Sequence, residues 1–374
     1  MFTKIKDFYF KHKRLIIILA LITSVIVYML IANARKQKGA GPIEISEESP
    51  APEVTSAGTN YFTGSSTRAY FINQIVTNIP PVTGYSWSGD LLIYSTKDGV
   101  FEAGTNNQIL IKNIQDIVWS DNFNGLIKSE GKWEKFDYKN KNTIDPGLDL
   151  ISPIINSRGN LIADYSKNKI VIYNLETGTK NEKYLSEQVD RIYFPKNGDG
   201  VIIFTSFGDN TFVYKLDNNL TEKASIKLEK AYIPNAVSSD GSLFTASLLN
   251  ELVISDFSGI KYTDVFLKGS GVFSSFTPDK KIIEVEKYKD SLGRTLDNIY
   301  LSGQEGKRIK ISDSKPMINR IDVSVPIGFN SSGSVATFAE NEGKIWILAL
   351  KTNLFPTYST EGKLIFSNIE STSH

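Results

Sequence analysis

Cysteine is absent from the 374 residues. Disulfides, thiolate nucleophiles and thiolate-held zinc are therefore excluded, and any domain outside the cytoplasm must stand on its core alone. Histidine is almost absent. The two present, His12 and His374, stand near the chain ends. That removes Ser-His-Asp triads, histidine general bases and HExxH metal sites. Neither charge sign prevails: 42 Lys and Arg face 41 Asp and Glu, for a net charge of +1. No global field draws the chain to nucleic acid, and no basic stripe with interleaved aromatics is found. Long amphipathic helical patterns are also missing after residue 34. A parallel α/β fold, which needs helices between its strands, is thus disfavoured. What is plentiful is aromatic: 17 Tyr and 21 Phe, a composition that suits strands.

One long apolar run exists. Leu15 to Ala34 are twenty uncharged residues, enough at about 1.5 Å per residue to cross about 30 Å of hydrocarbon. Lys4, Lys6, Lys11, Lys13 and Arg14 precede it, and Arg35, Lys36 and Lys38 follow. The excess before the run predicts a cytoplasmic N-terminus and an extracytoplasmic remainder. Ala32 and Ala34 also form an A-x-A pattern, so a cleaved signal peptide is the alternative to an uncleaved anchor. Either reading exports the rest of the chain. The expected organisation is a basic tail over 1–14, a transmembrane anchor over 15–34, a disordered tether over 35–64 and one folded domain over 65–374. The tether is rich in Gly, Pro, Ser, Glu and Thr and cannot bury enough surface to offset its ordering entropy. As a flexible coil it spans about 30 Å.

The fold is set by a repeat. An aromatic or aliphatic residue precedes a turn of Ser, Asn, Asp and Gly seven times: at Trp87, Trp119, Ile155, Phe194, Val237, Phe276 and Phe329. The spacing is mostly near 40 residues, the length of a four-stranded propeller blade. Each turn leads into a short apolar strand, such as VIIFTS from Val201 or VATFAE from Val335, and then into a third, such as NTFVYKL from Asn210. Fourth strands are more polar, as outer edges should be. The expectation is an all-β, seven-bladed propeller behind a single N-terminal transmembrane helix, with six or eight blades as alternatives. The strand-like stretch from Tyr70 to Ile79 is expected to complete the last blade and close the ring.

The turns FTPDKK and VSSDGS resemble the "F-S-P-D-G-K" turn of TolB-type, WD40-like propeller repeats, over roughly residues 80 to 360. The Gly-His and Trp-Asp dipeptides of true WD40 repeats are missing. The resemblance implies a scaffold that binds other proteins or envelope components.

No cofactor or metal site is expected. The segment GSGVFSSF near Gly269 lacks a phosphate-loop Lys-Ser/Thr pair, and DNNLTEK after Asp217 lacks the glycine and glutamate spacing of a calcium loop. Trp133 and Trp346 are read as exposed on third strands, with packing between blades a cheaper explanation than ligand stacking. Alignment on the turns puts Gly84, Asp116, Ser152, Arg191, Pro234, Phe273 and Pro326 at one level of the innermost strands. Asp116, Asp190, Arg191, Arg320 and Asp322 are thereby expected near the channel mouth. The longest insertion, Tyr288 to Asp297, is expected on the same face and adds Asp290 and Arg294 as candidate binding residues, since enlarged loops on rigid scaffolds tend to carry function. The functional expectation is a membrane-tethered protein-binding or scaffolding module of the cell envelope, with no catalytic residue and no nucleic-acid partner. The alternative is a glycan- or peptide-acting enzyme using channel carboxylates such as Asp116 and Asp190.

Overall fold

The computed structural model describes residues 60–65, 68–76, 80–105, 107–266, 269–289, 291–303, 308–312, 321–340, 343–351, 354–359 and 362–368. Alternating apolar residues with turns every few positions fold into seven antiparallel sheets arranged in a propeller. Blade 1 comprises Gly84–Ser88, Leu91–Thr96, Gly99–Glu102 and Gln108–Ile111; blade 2 comprises Asp116–Trp119, Gly125–Ser129, Lys132–Asp137 and Asn142–Ile144. Blade 3 is Pro153–Ile155, Leu161–Ser166, Lys169–Asn174 and Lys180–Tyr184; blade 4 is Gln188–Tyr193, Val201–Phe207, Asn210–Leu216 and Glu222–Leu228. Blade 5 is Ile233–Val237, Phe244–Leu248, Glu251–Asp256 and Gly259–Val265; blade 6 is Gly269–Phe276, Ile282–Lys289, Thr295–Ser302 and Arg308–Ser312. Within each of these blades the strands pair in chain order, from the channel outward.

Blade 7 is built from both ends of the domain. Gly328–Phe329, Val335–Glu340 and Lys344–Ala349 form its inner strands, and Arg68–Val76 pairs antiparallel with Lys344–Ala349, Ile72 lying opposite Leu348. The expected closing strand is therefore in place. A fifth strand, Asn60–Ser65, pairs outside it. Its first five residues belong to the stretch that composition assigns to the tether, so the folded part begins earlier than residue 65. A polar strand at an outer edge leaves no apolar pattern to read. A hairpin of Leu354–Tyr358 and Leu364–Asn368 follows blade 7. It lies against the closing strand, where Asn73 Nδ2 donates to the Pro356 carbonyl at 3.0 Å. The basic tail, the apolar run and the tether up to residue 59 lie outside the described residues. Among the described residues no helix is long and apolar enough to cross a membrane.

The core is a set of seams between neighbouring blades rather than one central mass. Blades 3 and 4 meet through Ala163, Ile170, Ile172, Ile192, Val201 and Ile203, all essentially buried. Blades 7 and 1 meet through Val335, Ile345 and Ile347 against Tyr85, Trp87 and Leu92, with Leu364 of the hairpin added. Each fully buried aliphatic side chain contributes about 1.5–3 kcal/mol. Trp133 and Trp346 are 4% and 2% exposed, so they are not surface residues; both fill seams, between blades 2 and 3 and between blades 6 and 7. Blades 5 and 6 meet through Ala236, Ile254, Phe276 and Ile282, and blade 6 adds buried polar groups beside them. Glu286, only 4% exposed, accepts from Asn298 Nδ2 and Tyr300 Oη at 2.9 Å each.

Strand direction gives the propeller two faces. The turns between first and second strands, which carry the repeat, lie on one, here the turn face. The hairpins between second and third strands, and the connections into each next blade, lie on the other, here the mouth face. On the turn face each repeated turn holds the next. Gly89 N donates to Ser331 Oγ at 2.9 Å, linking blades 1 and 7. Asn122 N donates to the Trp87 carbonyl at 2.7 Å, Asn124 Nδ2 to the Ser157 carbonyl at 2.8 Å, and Ser157 Oγ to the Lys196 carbonyl at 3.2 Å. Asn197 N then donates to the Ser239 carbonyl at 2.6 Å, and Ser239 Oγ to the Pro278 carbonyl at 3.5 Å. The last junction is apolar: Gly333 lies so close to the Pro278 ring that a Cβ there would approach it to 3.0 Å.

The turn composition follows from this geometry. Asn156 Oδ1 accepts from the amides of Asn160 and Leu161, and Asn330 Oδ1 from those of Ser334 and Val335 in the same register. Three residues after each of these Asn stands a glycine with positive φ, Gly159 at 72° and Gly333 at 66°. Side-chain acceptors for turn amides and a residue free to adopt a left-handed backbone are what such turns need.

Candidate functional site

The innermost strands enclose a cavity of about 600 Å³. Blades 1 to 4 and 7 wall it, with Asn235 as the contribution of blade 5. Of the residues that the repeat places at one level, Gly84, Asp116, Ser152, Arg191 and Pro326 line it. Pro234 and Phe273 do not. In blade 5 the register shifts between Pro234 and Ala236, so Asn235 is the bulged residue and takes the wall position. Phe273 packs instead into the seam between blades 6 and 7.

A matching bulge corrects the expectation for Asp190. The pairing of blade 4 shifts between Val189 and Arg191, leaving Asp190 as the extra residue. Bulges re-aim side chains. Asp190 turns to Ser206 Oγ, 3.0 Å away on the next strand, and burial raises its carboxyl above the usual range. The cavity wall includes Asp116 and Arg191 but not Asp190, so the two carboxylates named for a catalytic pair are not brought together on it. Asn235 repeats the arrangement, accepting from Ser247 Oγ at 3.3 Å.

Arg191 stands on the wall with its guanidinium 6.0 Å from the centre of the Tyr193 ring. Among the described residues it enters no ion pair. Burial pushes the Tyr193 and Tyr165 hydroxyls up, and the Arg191 charge pulls both partly back. Asp116 begins its strand at the mouth, where its Oδ1 accepts the Ile117 amide at 2.8 Å. Asp322 is not on the wall; it caps Ser324, accepting the amide at 2.9 Å, and Ser324 lines the cavity. Arg294 is exposed in the blade 6 hairpin, on the expected face but away from the wall. Arg320 and Asp290 lie outside the described residues.

Sequence reading missed the aromatic half of the site. Tyr85, Trp87, Trp119, Trp133, Tyr165 and Tyr193 all line the cavity. Their polar atoms are largely spent on neighbouring blades. Tyr85 Oη donates to the Thr337 carbonyl at 2.7 Å, Trp119 Nε1 to Ser95 Oγ at 3.0 Å, and Tyr193 Oη to the Asn235 carbonyl at 3.0 Å. Burial pushes the Tyr85 hydroxyl far up, so it stays a donor. What the aromatics offer the cavity is therefore ring surface, interrupted by one cation, Arg191, and two carboxylates, Asp116 at the mouth and Asp121, which is paired with Lys196 at 3.2 Å. Trp87 and Trp119 were visible as turn anchors; Tyr165 and Tyr193 read only as strand residues.

No protein-family model matches the chain, and no curated protein matches it. A comparison with solved structures finds the Dos1 propeller, at 15% identity and a TM-score of 0.48, over 70% of this chain and 76% of that one. The fold assignment rests on the seven sheets and their closure, not on this likeness.

Proposed function

We propose that the protein is a membrane-tethered, extracytoplasmic binding module of the cell envelope, of the kind that TolB-type, WD40-like repeats build. Its channel receives a segment of a protein partner. The observation that carries the reading is the cavity wall: aromatic faces surround Arg191, a cation with no ion-pair partner among the described residues. Such a wall suits an apolar or aromatic peptide segment that presents a carboxylate. Tethering follows from the basic-flanked apolar run and needs no further contact. The carboxylate-enzyme alternative has less support, because Asp190 faces Ser206 rather than the cavity.

The test is capture by the full chain, extracted from membranes in mild detergent. Arg191→Met should weaken capture of the co-purifying partner at least about tenfold, as loss of a desolvated charge contact does, with the melting temperature unchanged. Equal capture by the variant sinks the channel reading. Turnover of an envelope glycan or peptide that vanishes in Asp116→Asn, with binding retained, would establish the enzyme instead.

A further inference from the structure

The two faces differ in what they leave uncovered. Among the described residues, the six most exposed large apolar side chains are Ile111, Tyr184, Phe207, Ile233, Leu249 and Leu292. All six stand on the mouth face, at the end of a fourth strand, the start of a first strand or the hairpin between second and third strands. Three of them sit at the corresponding hairpins of successive blades: Phe207 in blade 4 at 66% exposure, Leu249 in blade 5 at 75% and Leu292 in blade 6 at 75%. Ile233 and Val265 of blade 5 continue the same sector. Single exposed apolar residues are ordinary, but a crescent of them confined to one face marks an interaction surface.

The chain itself indicates what covers the crescent. Asn60–Ser65 runs antiparallel to the closing strand, from the mouth side toward the turn face, and neighbours the outer strand of blade 6. The first described strand therefore begins on the side of the crescent. Those residues include the only long apolar run in the sequence, Leu15 to Ala34, about 25 residues before the first strand. Leu292 is accompanied in its hairpin by exposed Lys289 and Arg294, cations on apolar stems that suit a headgroup layer.

We infer that the crescent formed by Phe207, Ile233, Leu249, Val265 and Leu292 is a lipid-docking surface that seats blades 4 to 6 on the bilayer holding the anchor. The inference rests on the tethering proposed above. Weak insertion suffices, because a domain joined to its anchor by about 25 residues is held at an effective concentration on the order of mM. The crescent and the cavity use different residues: the cavity is walled mainly by blades 1 to 4 and 7, so docking does not consume its lining.

The absence of native cysteine makes the test direct. Full-length chains carrying one introduced cysteine, Leu249→Cys or Leu292→Cys on the mouth face and Ile260→Cys on the turn face, are labelled with a polarity-sensitive fluorophore. They are then reconstituted into phosphatidylcholine vesicles containing nitroxide lipid. The labels at 249 and 292 should shift to the blue and be quenched at least twofold more than the label at 260. Chains that float with the vesicles but show equal quenching at all three sites overturn face-down docking while leaving the tether intact. Chains that do not float remove the anchor, and the inference falls with it. Protection of 249 and 292 that appears only when membrane protein extract is added, without nitroxide quenching, assigns the crescent to a protein and overturns the proposal.

Discussion

On the turn face, seven repeated loops pack each against the next; on the mouth face, the connections differ in length, carry bulges and expose apolar tips. The same backbone alternation generates both. The turn face closes on itself: its Asn and Ser side chains satisfy the turn amides, and six of its seven junctions are hydrogen bonds between neighbouring blades. Among the described residues the mouth face shows no such ring, and its loops differ from blade to blade. Repetition therefore marks what holds the propeller together, and departures from it mark where something else can be held.

The largest loss of stability is expected at closure. Removing residues 60–76 deletes the outer strands of blade 7 and exposes its edge. The expected outcome is loss of the cooperative thermal transition, since the total stability of such a domain is only about 5–15 kcal/mol. A sharp melt close to that of the full chain would move closure to the C-terminal hairpin. A second test sets the seams against the tips. Ile203→Ala, in the seam between blades 3 and 4, should cost about 2–5 kcal/mol in urea titrations. Leu249→Ser should move the midpoint by no more than about 0.5 kcal/mol.

A finer contrast uses two left-handed glycines, one on each face. Gly241 at the turn face has φ 66°, and an added Cβ would lie 2.7 Å from Pro195 Cγ; Gly208 at the mouth face has φ 59° and nothing within 4 Å. Gly208→Ala should cost about 1–2 kcal/mol for conformation alone. Gly241→Ala should cost more, by about 1 kcal/mol, and equal losses would show that the turn ring yields. The smallest effect concerns Asp164, 5% exposed, which accepts the Ser152 amide at 2.7 Å where the chain enters blade 3. Burial raises its carboxyl despite that acceptance. The folded state then binds the proton more tightly than the unfolded one, so this residue's contribution is full below the ordinary carboxylate pKa and declines as pH rises through the raised value. The advantage of wild type over Asp164→Asn should shrink between pH 4 and pH 7, read from paired denaturation curves. An advantage that grows would mean the amides hold the carboxylate ionised.

Blade number and closure were legible because both rest on patterns the chain must repeat: Asn156 and Asn330 cap turns in one register, and VIIFTS or KIWILAL bury alternate residues in seams. Asn60–Ser65 was not legible, since an outer edge buries too little to impose a pattern. Nor were the bulges. The shift that puts Asn235 on the wall and turns Asp190 away depends on pairing with the next strand, and no local residue announces it. The insertion at Tyr288 to Asp297 was correctly assigned to the hairpin between second and third strands, yet Arg294 joins the docking crescent's neighbourhood rather than the cavity. Charge was easier to read than ring surface: Asp116 and Arg191 stood out among apolar neighbours, whereas Tyr165 and Tyr193 looked like any strand aromatics.

Blade 7 also sets a timetable. Its outer strand is among the first parts of the domain to be synthesised, and its partner, Lys344–Ala349, among the last. Until that partner emerges, residues 68–76 have an unsatisfied edge, and blade 1 lacks the neighbour against which Tyr85 and Trp87 pack. Contacts this distant in sequence form slowly, and an open strand edge invites pairing with another chain. A polypeptide made N-terminus first therefore cannot pair residues 68–76 with Lys344–Ala349 until almost the whole domain has been synthesised, so the ring closes late and its opening edge stays exposed until then.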